Sequence, residues 1–220
     1  MDNNLKIINY LGKNIGSQFT MNELSRTLSI PYATFHRTVQ KIQELVVIQT
    51  IGHSKTISLN INKPSLKSYL SVASAEEKSM FLKNQPIIKQ VCLEINNSNI
   101  VLLFGSYAKQ KQREHSDIDL LIINKDGKRS ISFSKQELLF SKKINPIFVT
   151  EKEFRLMLNE KEENVGKQAV NNHIILNNPE LFWDLVLNVR KSIPKMHYKQ
   201  KNNRIKSNIQ NKSVSAKSKK

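Results

Sequence analysis

The sequence predicts an α+β protein of two units. A helical N-terminal unit closes with a hairpin, and a strand–helix core follows that ends in a helical C-terminal extension. Three observations carry this. Apolar residues recur at helical spacing from Leu5 to Ile42. Two β-branched runs then flank His53-Ser54-Lys55, as in a hairpin. Finally, Ile100–Phe104 and Leu120–Ile123 are unbroken apolar runs of strand length, the first bounded by Gly105 and the second headed by Asp117 and Asp119.

In residues 1–63, Leu5, Ile8, Leu11 and Ile15 form the inner stripe of a first helix. Thr20-Met21-Asn22-Glu23 reads as a capping box opening a second helix that buries Leu24 and Leu28. After Ser29-Ile30, Pro31 suits the first turn of a third helix. Phe35, Val39, Ile42 and Val46 face inward there, while Ala33, His36, Arg37, Gln40 and Lys41 face outward. VVIQTIG and TISLNI complete the unit as a two-stranded wing.

Residues 64–98 read as a helical linker region, 99–150 as alternating strand and helix, and 151–193 as helix again. From 194 to 220 the chain holds nine basic side chains, no acid and few aliphatics, so a disordered basic tail is expected. The formal charge is +17, from 35 Lys+Arg against 18 Asp+Glu. A polyanionic partner explains that excess. So does a Lys- and Asn-rich coding bias. Without an 18-residue apolar run no membrane span is expected, and the N-terminus lacks the pattern of a secretory signal. Cys92 is the only cysteine, which excludes internal disulfides and cysteine-based zinc sites. A cytoplasmic protein is the expectation.

The three helices and hairpin resemble the winged helix-turn-helix pattern. That resemblance implies a third helix in the DNA major groove, with Tyr32, Thr34, His36, Arg37 and Gln40 nearest bases or phosphates. Lys55 at the wing tip would meet a backbone phosphate. A protein-interaction role is the alternative, since such domains serve both ends.

The richest stretch is NIVLLFGSYAKQKQREHSDIDLLIIN, residues 99–124. Two carboxylates two residues apart on a strand share a face and repel unless a cation lies between them. Mg²⁺, a hard ion with oxygen ligands, suits the pair. The Gly105-Ser106 turn lets backbone amides approach a phosphate. Gly105-Ser106, ten residues, then Asp117-Ile118-Asp119 resembles the polymerase-beta-type nucleotidyltransferases, above all the minimal members that carry an N-terminal winged helix. The likeness covers about residues 87–150, with TEKEF and NHIIL similar to the C-terminal part of longer members.

The resemblance implies a nucleotidyltransferase-fold core. Asp117 and Asp119 would be the catalytic, Mg²⁺-binding carboxylates, and Gly105 and Ser106 would bind the β- and γ-phosphates of a nucleoside triphosphate, ATP first among them. Lys109 and Arg113, on the helix after the turn, are phosphate-binding candidates whose plainer reading is a solvated helix face. An acceptor hydroxyl, of a protein or another molecule, would attack the α-phosphorus and release pyrophosphate. The chain departs from the pattern at Lys109-Gln110, where members often have Arg-Gly, and at Asn145, where a third carboxylate is expected on the next strand. That strand follows a helix capped by Ser134 and Glu137, and Pro146 marks it as an edge. An amide cannot act as a base. Glu151 or Glu153 would have to substitute, although Glu153 is more simply the capping partner of Thr150. The alternative is a catalytically weak or inactive DNA-binding regulator, or an antitoxin-like protein with a small helical partner. His115 reads as a loop residue, Cys92 as a buried thiol, His173 as a packing or capping residue, and Phe182 and Trp183 as core.

Overall fold

The computed structural model describes residues 1–95 and 99–192. The basic tail from 194 lies outside the described residues. The N-terminal unit comprises α1 (Asn3–Lys13), β1 (Phe19–Thr20), α2 (Met21–Thr27), α3 (Tyr32–Lys41), β2 (Val46–Ile51) and β3 (Ser54–Leu59). Asp2 caps α1 by accepting from the Leu5 N–H at 2.8 Å. Thr20 caps α2 by accepting from the Glu23 N–H at 3.1 Å, but the reciprocal bond of the expected capping box is not formed. The antiparallel sheet has the order β1-β3-β2, so the hairpin gains a third, two-residue strand that carries too little sequence to announce itself.

Two expectations shift by a few residues. The third helix stops at Lys41, and Val46 keeps its buried side chain as the first residue of β2. The hairpin turns at Gly52-His53, with Gly52 at φ +59°, so Lys55 lies within β3, paired with Thr50, and His53 takes the tip.

α4 (Leu66–Leu82) and α5 (Pro86–Val91) follow. α4 lies against α1 and carries Leu66, Leu70 and Ala73 fully buried. At Gly12 of α1 an added Cβ would meet Leu70 Cδ2 at 2.5 Å and the Trp183 ring at 3.1 Å, so the helices approach as closely as they do because no side chain intervenes.

The second unit is a four-stranded sheet of order β6-β5-β4-β7, from β4 (Ile100–Phe104), β5 (Ile118–Asn124), β6 (Ile144–Thr150) and β7 (Ile174–Asn177). β4 runs antiparallel to β5 and β7, while β6 is parallel to β5 through a crossover holding α7 (Ser134–Phe140). Alternate residues of the apolar runs serve opposite faces. Leu102, Leu121 and Ile123 join one core with α8 (Glu151–Asn159), α9 (Val165–Asn171) and α10 (Pro179–Ser192). Val101, Leu103, Leu120 and Ile122 join the other with α5 and Phe133. The first of these cores is continuous through α4 with the interior of α1–α3.

β7 corrects the expectation that 151–193 is helical throughout. Ile174-Ile175-Leu176 is a run too short to distinguish strand from helix by periodicity, and pairing with β4 decides it. β6 is an edge strand, where Pro146 costs no ladder hydrogen bond. Ser134 does not cap α7; Phe133 is its N-cap, and Glu137 Oε1 accepts from the Ile144 N–H at 2.9 Å, holding the start of β6. Among the described residues no helix is long and apolar enough to cross a membrane.

Candidate active site

β4 ends in Phe104, opposite Asp119, and the chain turns at once into α6 (Gly105–Ala108). Gly105 has φ +70°, and a Cβ there would fall within the Asp119 carboxylate. Only glycine fits both demands. The turn is therefore pressed onto Asp119 by backbone geometry. The helix is a single turn: Lys109 ends it, and Arg113 lies beyond it in an exposed loop, where its N–H donates to Ser116 Oγ at 2.8 Å. The expectation of Lys109 and Arg113 on one helix is thus corrected.

Asp117 immediately precedes β5, and Asp119 lies within it, in register with Asn145 of β6. The Asn145 amide donates to Asp117 Oδ2 at 3.0 Å and to Asp119 Oδ1 at 3.5 Å. Lys143 Nζ stands 4.0 Å from Asp117 Oδ2, a loose and exposed ion pair that contributes little. Burial pushes the Asp119 carboxyl up; the Asn145 hydrogen bond pulls it down, and the Asp117 charge adds to the rise. Tyr107, buried on the turn helix, is also raised, by burial and then by Asp117.

The acids considered as substitutes are elsewhere. Glu153 completes a capping box with Thr150, accepting from its N–H at 2.7 Å and its Oγ1 at 2.9 Å, bonds that hold its carboxyl low. Glu151 pairs with Arg155 at 3.7 Å. Both follow the C-terminal end of β6, whereas Asn145 stands at its start.

A cleft of about 580 Å³ opens beside the pair. Gly105, Lys109 and Asp119 line it with Ile147 of β6. Its far wall is α9, which contributes Val165 and Gln168 one turn apart, with Asn172 capping its C-terminal end and Glu163 from the preceding loop. No motif in the sequence marks this wall. Arg113 is not part of the cleft lining, and Ser106 follows Gly105 on the turn.

Residues 87–181 match the family model described as polymerase beta, nucleotidyltransferase. This match supports a polymerase-beta-type nucleotidyltransferase domain and, at the level of the family, nucleotidyl transfer. It spans all four strands of the second sheet and every residue named in the cleft. No curated protein and no solved structure matches the chain.

The nucleotidyltransferase family usually uses a divalent metal. Among the described residues no group of three or more His, Cys, Asp or Glu side chains could hold a metal ion. Two carboxylates sharing a face nevertheless suit one Mg²⁺, which keeps most of its octahedral shell for water and substrate phosphates. Burial is the main cause of the rise of Asp119, and the neighbouring Asp117 charge, which a cation would offset, adds to it. The donor set fits one ion held by Asp117 and Asp119. It lacks the third carboxylate for a second ion.

In the N-terminal unit, Tyr32, Arg37 and Gln40 are exposed on α3, while Thr34 and His36 are half-buried. Tyr32 and His36 share a shallow cleft of about 300 Å³ with Asn22, His53 and Lys55. His115 is exposed in its loop, and Cys92 is half-buried, with burial pushing its thiol up. His173 is a packing residue: its ring stacks edge-on against Phe182, and its Nδ1 bonds the Val170 carbonyl at 2.8 Å.

Proposed function

We propose that the chain is a Mg²⁺-dependent nucleotidyltransferase, moving a nucleoside monophosphate from a triphosphate to an acceptor hydroxyl, joined to a DNA-binding winged helix. The single observation behind the first half is the Gly105 turn set directly against Asp119 of the acidic pair, inside the matched region. Asp117 and Asp119 would hold one Mg²⁺, and the turn would offer the Gly105 and Ser106 amides to phosphate oxygens. When bound, Mg²⁺ would neutralise charge on the triphosphate and polarise the phosphorus under attack. Lys109, in the cleft, is placed to neutralise phosphate charge as pyrophosphate leaves. Asn145 orients the carboxylates but cannot take the acceptor's proton.

DNA binding draws its support from α3, which shows Tyr32, Arg37 and Gln40 to solvent, and from Lys55 and His53 flanking the same shallow cleft. A second reading, favoured by Asn145, is a DNA-binding regulator that binds nucleotide and turns it over slowly or not at all. Calorimetric titration of ATP, GTP, CTP and UTP with Mg²⁺, followed by a pyrophosphate-release assay, tests both. Binding and release that vanish in Asp117→Ala and Asp119→Ala support the enzyme. Binding without release supports the regulator, and no binding by the native chain overturns both. For the DNA half, Arg37→Ala should weaken binding to a selected duplex and lower the salt slope by about one. An unchanged affinity removes α3 as the reading helix.

A further inference from the structure

The second wall of the cleft is chemically unlike its first. The first wall carries Gly105, Lys109 and Asp119. The second is α9 with the residues flanking it, Glu163 from the leading loop, Val165 and Gln168 on the helix, and Asn172 at its C-cap. The cleft volume of about 580 Å³ sits inside the range of roughly 300–1,000 Å³ usual for small-molecule sites.

The second wall carries no cation to hold phosphates, and its groups suit a nucleoside. Glu163 is a carboxylate, which repels phosphate oxygens but accepts from ribose hydroxyls or base N–H groups. Gln168 and Asn172 are amides, each with a donor and an acceptor, the pairing that reads a base edge. Among the described residues neither amide is engaged in a hydrogen bond, and both side chains are exposed to the cleft. Val165, with Ile147 across from it on β6, supplies the apolar flank for a planar ring; Ile147 is 37% exposed, unusual for an isoleucine on a sheet face.

We propose that α9 is the nucleoside-recognition wall of the cleft: Gln168 and Asn172 hydrogen-bond the base edge, Glu163 accepts from the ribose hydroxyls, and Ile147 and Val165 flank the ring. This rests on the triphosphate reading above and adds the residues that choose which triphosphate is taken. A base edge that pairs with amides separates the four nucleotides by hydrogen-bond pattern, so the preference among them originates on α9.

The test uses the full chain with Mg²⁺ and two kinds of probe, the four nucleoside triphosphates and inorganic tripolyphosphate. Tripolyphosphate has no nucleoside, so it reports the phosphate wall alone. Gln168→Ala and Asn172→Ala should each weaken the preferred nucleotide about two- to tenfold, the worth of one hydrogen bond, and leave tripolyphosphate unchanged. Glu163→Gln should narrow the preference for the ribonucleotide over its 2′-deoxy counterpart. Thermal melting of each variant confirms that it folds; all three positions are exposed. Nucleotide affinity unchanged in all three variants overturns the assignment of α9. So does an equal loss for nucleotide and tripolyphosphate. If the native chain binds neither probe, the phosphate site itself fails, and the proposal falls with it for that separate reason.

Discussion

Asn145 donates its amide N–H to Asp117 Oδ2 at 3.0 Å, and this bond puts a neutral donor where the nucleotidyltransferase pattern expects a third acid. Asp117 and Asp119 stand close enough to repel, and the amide relieves part of that repulsion. Asn145 thereby stabilises the resting site while withholding a base.

Restoring the acid should exchange one property for the other. Asn145→Asp places three carboxylates together, so the metal-free protein should melt several degrees lower and gain more from added Mg²⁺ than the native chain does. A general base contributes about 10²–10⁴-fold, and pyrophosphate release by Asn145→Asp should rise by at least about tenfold. No rise, with Mg²⁺ binding intact, would show that catalysis does not wait on an acid at this position.

Gly105 and Gly52 both have positive φ but differ in what surrounds them. Around Gly52 there is open space, so Gly52→Ala costs only the backbone strain, about 1 kcal/mol. Gly105→Ala adds a collision with the Asp119 carboxylate and should cost at least about 2 kcal/mol, with loss of nucleotide binding. Urea unfolding of the two variants side by side measures the difference; equal costs refute the close approach.

Asp119 titrates above its ordinary value of 3.8, so the folded chain holds that proton more tightly than the unfolded one. The ionised group therefore burdens the fold at neutral pH, and the burden lifts as pH falls through the folded value. Asp119→Asn should melt at or above the native temperature at pH 7, with the gap closing toward pH 4. A variant several degrees less stable at pH 7 contradicts this.

His173 has the opposite sign. Burial pushes its pKa from 6.5 down to about 3, helped by the Lys13 charge, so the unfolded chain protonates first. Its neutral form contributes stability that is complete above pH 6.5 and lost as pH falls toward 3, at up to about 1.4 kcal/mol per pH unit. His173→Phe keeps an aromatic ring against Phe182 and should flatten the acid limb of a melting-temperature profile. An unchanged limb places the acid sensitivity elsewhere.

Legibility followed the range of the forces involved. The helices of the N-terminal unit, the runs of β4 and β5, and the Thr150–Glu153 capping box are local patterns; all are present, although the third helix ends at Lys41, short of the expected Val46. β7 was not legible because Ile174-Ile175-Leu176 acquires its identity from β4, more than sixty residues away. α6 ends where Gln110 turns left-handed, at φ +53°, and the Lys111 N–H closes onto the Ser106 carbonyl, so Arg113 lies beyond the helix. At the site, the Gly-Ser turn and the acidic pair are sequence signals. The bond from Asn145, and the facing of Glu163 and Gln168 toward Asp119, are products of packing and carry no local mark.

α4 has a consequence that reaches across the molecule. It is clamped on one side to α1, through Leu70 and the Lys13–Glu77 pair at 2.6 Å, and on the other to α10, through Trp183 Nε1 donating to Ser74 Oγ at 2.9 Å. With one apolar cluster shared across this helix, the two halves have no seam along which to melt separately. A calorimeter should record a single heat-absorption peak. Any small molecule that fills the cleft then raises that one peak, and the helices of the N-terminal unit gain protection from hydrogen exchange without touching that molecule.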